Sequence, residues 1–271
     1  MQNGPAGILE MTAWKMNAPE MFGVFHFAML AAVCFLAAFA SAGMKRASEK
    51  TRVRVLAGCG WFLAVMEVYK QLFLFHVVNN GVYDWWYFPF QLCSVPMYLC
   101  ILLPLVRRDG KFQSAILNFL ACFTFVSAAA ALIYPEDFLR SYVTLTLHGF
   151  IWHGLLLFIS LTAVLTGMAD LSLRGFARSS LLFLILSGAA VCINALVEPS
   201  MAAASSAGQI PNNYAAMFYM NPYHLSPQPL VSTIQKSAGI PVGLALYAAV
   251  IIAASGVCCA VFRHLSKKQH S

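Results

Sequence analysis

The sequence predicts an all-α, polytopic membrane bundle of seven transmembrane helices, with the N-terminus outside and the C-terminus inside. Three observations carry this. First, 60% of the 271 residues are hydrophobic and only 10% are charged, with a mean hydropathy of +0.72. A water-facing globule is about a quarter charged, so most soluble enzymes, disordered chains and nucleic-acid binders are excluded. Second, seven apolar runs approach or reach the roughly 20 helical residues that a bilayer core demands: 21–44, 55–78, 88–106, 113–133, 143–167, 179–198 and 239–262. Lipid cannot satisfy open backbone groups, so these runs are helical. Third, the basic residues alternate in density. Lys45, Arg46, Lys50, Arg52 and Arg54 follow the first run, and Arg107, Arg108 and Lys111 the third. Arg174 and Arg178 follow the fifth, and Arg263, Lys267 and Lys268 the seventh. Only Lys15, Arg140 and Lys236 fall on the other side. Positive residues stay cytoplasmic, which orients the chain and requires an odd number of crossings. The net charge of +7 is therefore a topology and headgroup signal, not a nucleic-acid surface.

In chain order, residues 1–20 form an N-terminal extracytoplasmic segment and 21–262 a single seven-helix membrane domain. Residues 263–271 are a cytoplasmic tail. The first run is too long for a cleaved signal and only Lys15 precedes it, although Ala40-Ser41-Ala42 has the small-residue form of a cleavage site. The second run holds Glu67, Lys70 and Gln71, the only full charges deep in any span and their polar neighbour. Asp84-Trp85-Trp86-Tyr87 is an interfacial aromatic cluster at the mouth of the third run. That run carries Pro89, Pro96 and Pro104. Pro96 frees the Leu92 carbonyl and reads as a kink, with Cys93 at the break. The fifth run carries His148 and His153, and the sixth Asn194. The one long connection, 199–238, is rich in Pro, Asn, Ser and Tyr and reads as a lid or a re-entrant segment. All eight cysteines lie inside runs and form no Cys-x-x-Cys pair. They read as small packing residues, Cys93 excepted.

An ionisable group at a span centre costs roughly 2.5–3.5 kcal/mol, so the intramembrane polar residues require an account. At 1.5 Å per residue, Cys93 lies about 10 Å, His148 about 9 Å, His153 about 16 Å, Lys70 about 12 Å and Asn194 about 9 Å from the outer ends of their spans. His26, Glu67, Gln71, Gln91 and Ser94 share that outer half or the midplane, whereas the inner half has Asn118 and little else. This segregation predicts one water-accessible, outward-facing polar cavity. Glu67 and Lys70, three apart on one helical face, are either a structural ion pair or the lining of that cavity. A thiol attacks only as the thiolate, and a histidine beside it supplies the base. His148 and His153 point about 140° apart, so only one of them faces Cys93, and depth favours His148. The histidines lack the paired spacing of a haem or metal site, so no cofactor is expected.

These residues also carry a resemblance. Phe-Pro-Phe-Gln-Leu-Cys-Ser at 88–94, Tyr134-Pro135-Glu136-Asp137, and Leu147-His148-Gly149-Phe150-Ile151-Trp152-His153 resemble the YwaF-like integral membrane proteins of bacteria. Phe25-His26, Glu67 with Lys70-Gln71, and Asn194 with Asn213-Tyr214 add to the match, which spans roughly 20–262. That family is similar to the eukaryotic transmembrane protein 164, a cysteine-dependent acyltransferase of ether phospholipids, whose fold is related to small membrane hydrolases of lipid esters. The resemblance implies a cysteine-dependent lipid acyltransferase or hydrolase with an outer-leaflet-side site. It maps the nucleophile to Cys93 and its histidine to His153, with His148 second. Glu67, Lys70, Gln71, Gln91, Asn194 and His26 would line the substrate site. Membrane lipids are the expected partners and the bacterial cytoplasmic membrane the expected location. The alternative is a transporter or receptor for a small polar or amphipathic molecule, built on the Glu67/Lys70 cavity.

Overall fold

The computed structural model describes residues 5–210, 212 and 214–268. Asn213 and the first four and last three residues of the predicted terminal segments lie outside the described residues. The architecture is all-α. After a short helix α1 (Pro5–Glu10) come α2 (Val24–Arg46), α3 (Glu49–Val78), the short α4 (Val95–Leu105), α5 (Lys111–Ile133), α6 (Val143–Leu165) and α7 (Leu173–Ser206). A ten-residue α8 (Pro229–Ala238) leads into α9 (Ile240–Ser266). Six of these, α2, α3, α5, α6, α7 and α9, are long and apolar enough to cross a membrane. The chain is a multi-pass membrane protein.

Local chemistry sets the helix ends. Ser48 accepts the Thr51 N–H at the start of α3, and Ser172 accepts the Gly175 N–H at the start of α7. The predicted third span departs from one continuous kinked helix. Residues 88–94 are irregular, and α4 begins at Val95 with Pro96 in its first turn. Pro96 thus starts a helix, where its missing N–H costs nothing, and does not bend one. Cys93 sits two residues before that start.

α5 and α6 form the centre. In their most apolar windows 61% of residues are buried within the protein, against 17–28% for the other four long helices. α6 packs on α2, α3 and α5. A π turn at Phe119–Phe123 widens α5 so that all five of its residues are buried. Phe119, Phe123 and Phe183 stack there at 5.1 Å spacings. Phe35, Phe39, Trp61, Ile185 and Val257 point outward, as lipid-facing residues should. Between helices in lipid, packing replaces the hydrophobic drive. Gly60 shows this: a methyl group there would lie 2.9 Å from the Met97 carbonyl, so α3 and α4 meet backbone to backbone.

Polar contacts sort the loops to the two ends of the bundle. At one end Arg108 pairs with Glu49, Arg52 donates to the Thr166 carbonyl at 3.0 Å, and Arg178 donates to Ser114 at 3.2 Å. At the other, Met16 donates to the Ser141 carbonyl at 3.0 Å, the Thr12 and Tyr69 hydroxyls meet at 2.6 Å, and Asn212 donates to Asp84 at 2.7 Å.

Candidate functional site

The site is built around the irregular approach to α4. Asp84 is buried and accepts the Trp86 N–H at 3.0 Å, setting a tight turn at Trp85–Tyr87. Burial pushes its carboxyl up from the ordinary range; the Asn212 and Trp86 hydrogen bonds and Arg140 oppose the shift. The chain then drops between α3 and α6 to Cys93. The Cys93 carbonyl accepts the Trp152 indole N–H at 3.0 Å, which ties the break to the helix that carries both histidines.

On α3, Glu67 is only 4% exposed. Its Oε1 takes Lys70 Nζ at 2.9 Å and Gln71 Nε2 at 2.6 Å. Gln71 also donates to the Tyr87 carbonyl at 2.5 Å, and Lys70 Nζ lies 5.9 Å from the Trp152 ring centre. Glu67 and Lys70 are thus an ion pair, as one of the two sequence readings has it. The pair is incomplete, because the buried Glu67 Oε2 has no hydrogen-bond partner. A buried carboxylate oxygen left open is costly.

The two imidazoles on α6 are fixed in different ways. His153 Nδ1 lies 2.8 Å from the Gly149 carbonyl, which can only accept, so Nδ1 carries the proton and Nε2 keeps a lone pair. Its ring stacks on Phe138, 5.0 Å between centres. Gly149 allows this: an added methyl group would lie 2.3 Å from Phe138 Cγ. His148 stacks on Trp152 at 5.5 Å and donates from Nε2 to the Met66 carbonyl at 3.2 Å. Among the described residues no hydrogen bond joins the Cys93 sulfur to either ring. Cys93 lies within electrostatic range of Lys70, Glu67, Asp137, Tyr219 and Tyr247.

The long connection enters the bundle. Ala215, Ala216, Met217, Phe218 and Met220 are all buried. Asn194 holds this segment with three bonds, donating to the Met217 and Met220 carbonyls at 3.0 and 2.9 Å and accepting the Met217 N–H at 2.8 Å. Gln91 adds two, donating to the Ala216 carbonyl at 3.1 Å and accepting the Phe218 N–H at 2.8 Å. Both amides are therefore occupied by backbone. His26 is occupied too: it accepts the Phe22 N–H at Nδ1 (3.1 Å) and donates from Nε2 to the Leu132 carbonyl (2.8 Å). Glu67, Lys70, Gln71, Cys93, His148 and His153 thus come together around Trp152 and Phe138. Gln91 and Asn194 brace the segment above them, and His26 pins α2 to the end of α5.

Sequence reasoning missed Trp152, Asp137, Phe138 and Tyr219. The first two stood inside quoted motifs but signalled no chemistry there. Tyr219, whose hydroxyl donates to Asp137 Oδ2 at 2.6 Å, lies in a loop without periodicity. A cavity of about 410 Å³ at the opposite end of the bundle is lined by Leu171, Phe176, Cys259, Arg263 and His264 among others, and by none of these candidates. Among the described residues no cluster of three or more His, Cys, Asp or Glu side chains is placed to hold a metal ion.

Compared with known proteins, the chain matches the family model described as the TMEM164 family over residues 21–265. No curated protein and no solved structure matches it.

Proposed function

Because the chain belongs to the TMEM164 family, we propose that it is a thiol-dependent lipid acyltransferase or lipid-ester hydrolase. The observation that carries the reading is the Trp152–Cys93 hydrogen bond. It anchors a cysteine at the start of a membrane helix, against the helix turn whose next residue is His153. The N-terminal end of α4 favours negative charge at that point, and His153 Nε2 keeps the lone pair of a general base.

The chemistry balances with these groups alone. His153 Nε2 takes the thiol proton as the Cys93 sulfur adds to the acyl ester carbonyl. Collapse breaks the ester C–O bond, and the imidazolium returns the proton to the departing alcohol. The thioester is then attacked by a lysolipid hydroxyl or by water, whose proton passes to Nε2, and the thiolate leaves. Bringing Nε2 to the sulfur requires a side-chain rotation on substrate binding. Catalytic hydrogen bonds are commonly loose in unliganded enzymes. His148 is second in this role because its Nε2 is already spent on Met66. Lys70, Glu67 and Gln71 face the substrate headgroup.

In this reading α4 and the irregular 88–94 are the third of seven crossings. Residues 1–20 lie outside and 263–271 inside, with the site toward the outer leaflet of the bacterial cytoplasmic membrane. The Arg108–Glu49 pair supports this, since it places the loops flanking α3 and α4 at one end. In proteoliposomes with a phospholipid donor and a lysophospholipid acceptor, Cys93→Ala and Cys93→Ser should each lower turnover about 1,000-fold or more. Turnover that survives both variants overturns the proposal.

A second reading, a transporter or receptor built on the Glu67–Lys70 pair, is favoured by the open Glu67 Oε2, a group that substrate or proton binding would satisfy. Uptake that falls with Glu67→Gln and ignores Cys93→Ala would establish it instead.

A further inference from the structure

The turn before α6 places an acidic residue beside the ring that stacks on the proposed base. Phe138 lies flat on His153, with the rings inclined by only 20°. The clearance left by Gly149 fixes that stacking, and with it the position of the preceding residue, Asp137. The Asp137 carboxylate is exposed at the outer mouth. It is in electrostatic range of both His153 and Cys93, and Oδ2 accepts the Tyr219 hydroxyl at 2.6 Å. Tyr219 is delivered at a conformational cost. Phe218 and Tyr219 both adopt left-handed backbone, with φ of 54° and 55°, a conformation that bulky residues rarely adopt. The five hydrogen bonds from Asn194 and Gln91 hold this pair in place. A strained and pinned segment whose tip presents one phenol to one carboxylate has the form of a built contact.

Resting on the thiol-enzyme reading above, we propose that Asp137, oriented by Tyr219, is a positioning residue for the Cys93–His153 couple. Its negative charge stabilises the imidazolium that forms when His153 takes the thiol proton, while the substrate carbonyl accepts the sulfur. No proton moves to Asp137 itself. Tyr219 fixes the orientation of the carboxylate through its hydroxyl.

The test is steady-state acyl transfer in proteoliposomes, with kcat and KM separated. Asp137→Asn should lower kcat about tenfold or more and leave KM within about twofold. Asp137→Glu, which keeps the charge, should recover a large part of the loss. Tyr219→Phe should lower kcat several-fold, and the double variant should be no worse than Asp137→Asn alone, because both act through one group. An unchanged kcat in Asp137→Asn, a loss confined to KM, or additive losses would overturn the proposal. If Asp137→Asn does not fold, as read from its elution in detergent, Tyr219→Phe and Asp137→Glu carry the test. Cys93→Ala separates the two levels. If it abolishes transfer while Asp137→Asn is normal, only the positioning role fails; if it leaves transfer intact, the thiol reading fails with it.

Discussion

Single side chains set the geometry of the candidate site, and their positions follow from a few steric facts. Gly149 is one. Its missing methyl group admits Phe138, which flattens His153 and fixes the turn at 135–140. Gly149→Ala should therefore cost about 1–3 kcal/mol by overpacking. It should also tilt His153, so that the proposed acyl transfer falls more steeply than stability; a detergent melting curve beside a turnover assay measures both. The polar residues themselves were legible in the sequence, because a charge or imidazole inside an apolar run stands out at once. Glu67, Lys70, His148 and His153 were found that way, Gln71 as the neighbour of the charges and Cys93 by the proline break beside it, and all six are neighbours. What each one bonds was not legible. Gln91, Asn194 and His26 look like cavity residues until their backbone partners are seen. Those partners lie 23 to 127 residues away in the chain for Gln91 and Asn194, and 106 for the Leu132 partner of His26. Trp152 read as an ordinary aromatic, since nothing local marks the carbonyl its N–H will reach.

At the scale of elements, six of the seven predicted spans are long helices because apolar length alone decides them. The third was harder. A proline in an apolar run either bends a helix or begins one, and sequence does not separate the two. Here it begins one, and the seven residues before it stay irregular and carry Cys93. The buried segment 215–220 is a second irregular element inside the bundle, tolerated because protein surrounds it. Its backbone depends on Asn194. Asn194→Ala removes three hydrogen bonds from a buried segment, a loss of about 2–4 kcal/mol. The segment should then loosen before the bundle does. Faster proteolysis or faster amide exchange at 215–220, with helix content unchanged by circular dichroism, is the expected result. Equal protection in both proteins would mean that Gln91 and Asn221, which donates to the Ala215 carbonyl at 2.7 Å, suffice.

At the scale of the whole molecule, the distribution of basic residues and the distribution of contacts agree about sides. Loops 45–52, 107–114 and 166–178 meet at one end through Arg108–Glu49, Arg52–Thr166 and Arg178–Ser114. Residues 12–16, 84–87, 137–142, 212 and 214–219 meet at the other through Tyr69, Asp84 and Asp137. Under seven crossings the arginine-rich end faces the cytoplasm. The candidate site, tied to the opposite end, then faces out, where lipid reaches it from the outer leaflet. If 88–105 dipped in and returned, residues 84 and 108 would share a side, and the whole site would move relative to the leaflets. Single cysteines at the exposed positions 80 and 109, placed in a protein whose native cysteines are replaced by serine or alanine, distinguish the two arrangements. A membrane-impermeant maleimide applied to intact cells should label position 80 without permeabilisation and position 109 only after it. Labelling of both positions from outside would remove the third crossing. It would also break the link between the positive end of the bundle and the cytoplasm, and with it the assignment of the Cys93 mouth to the outer leaflet.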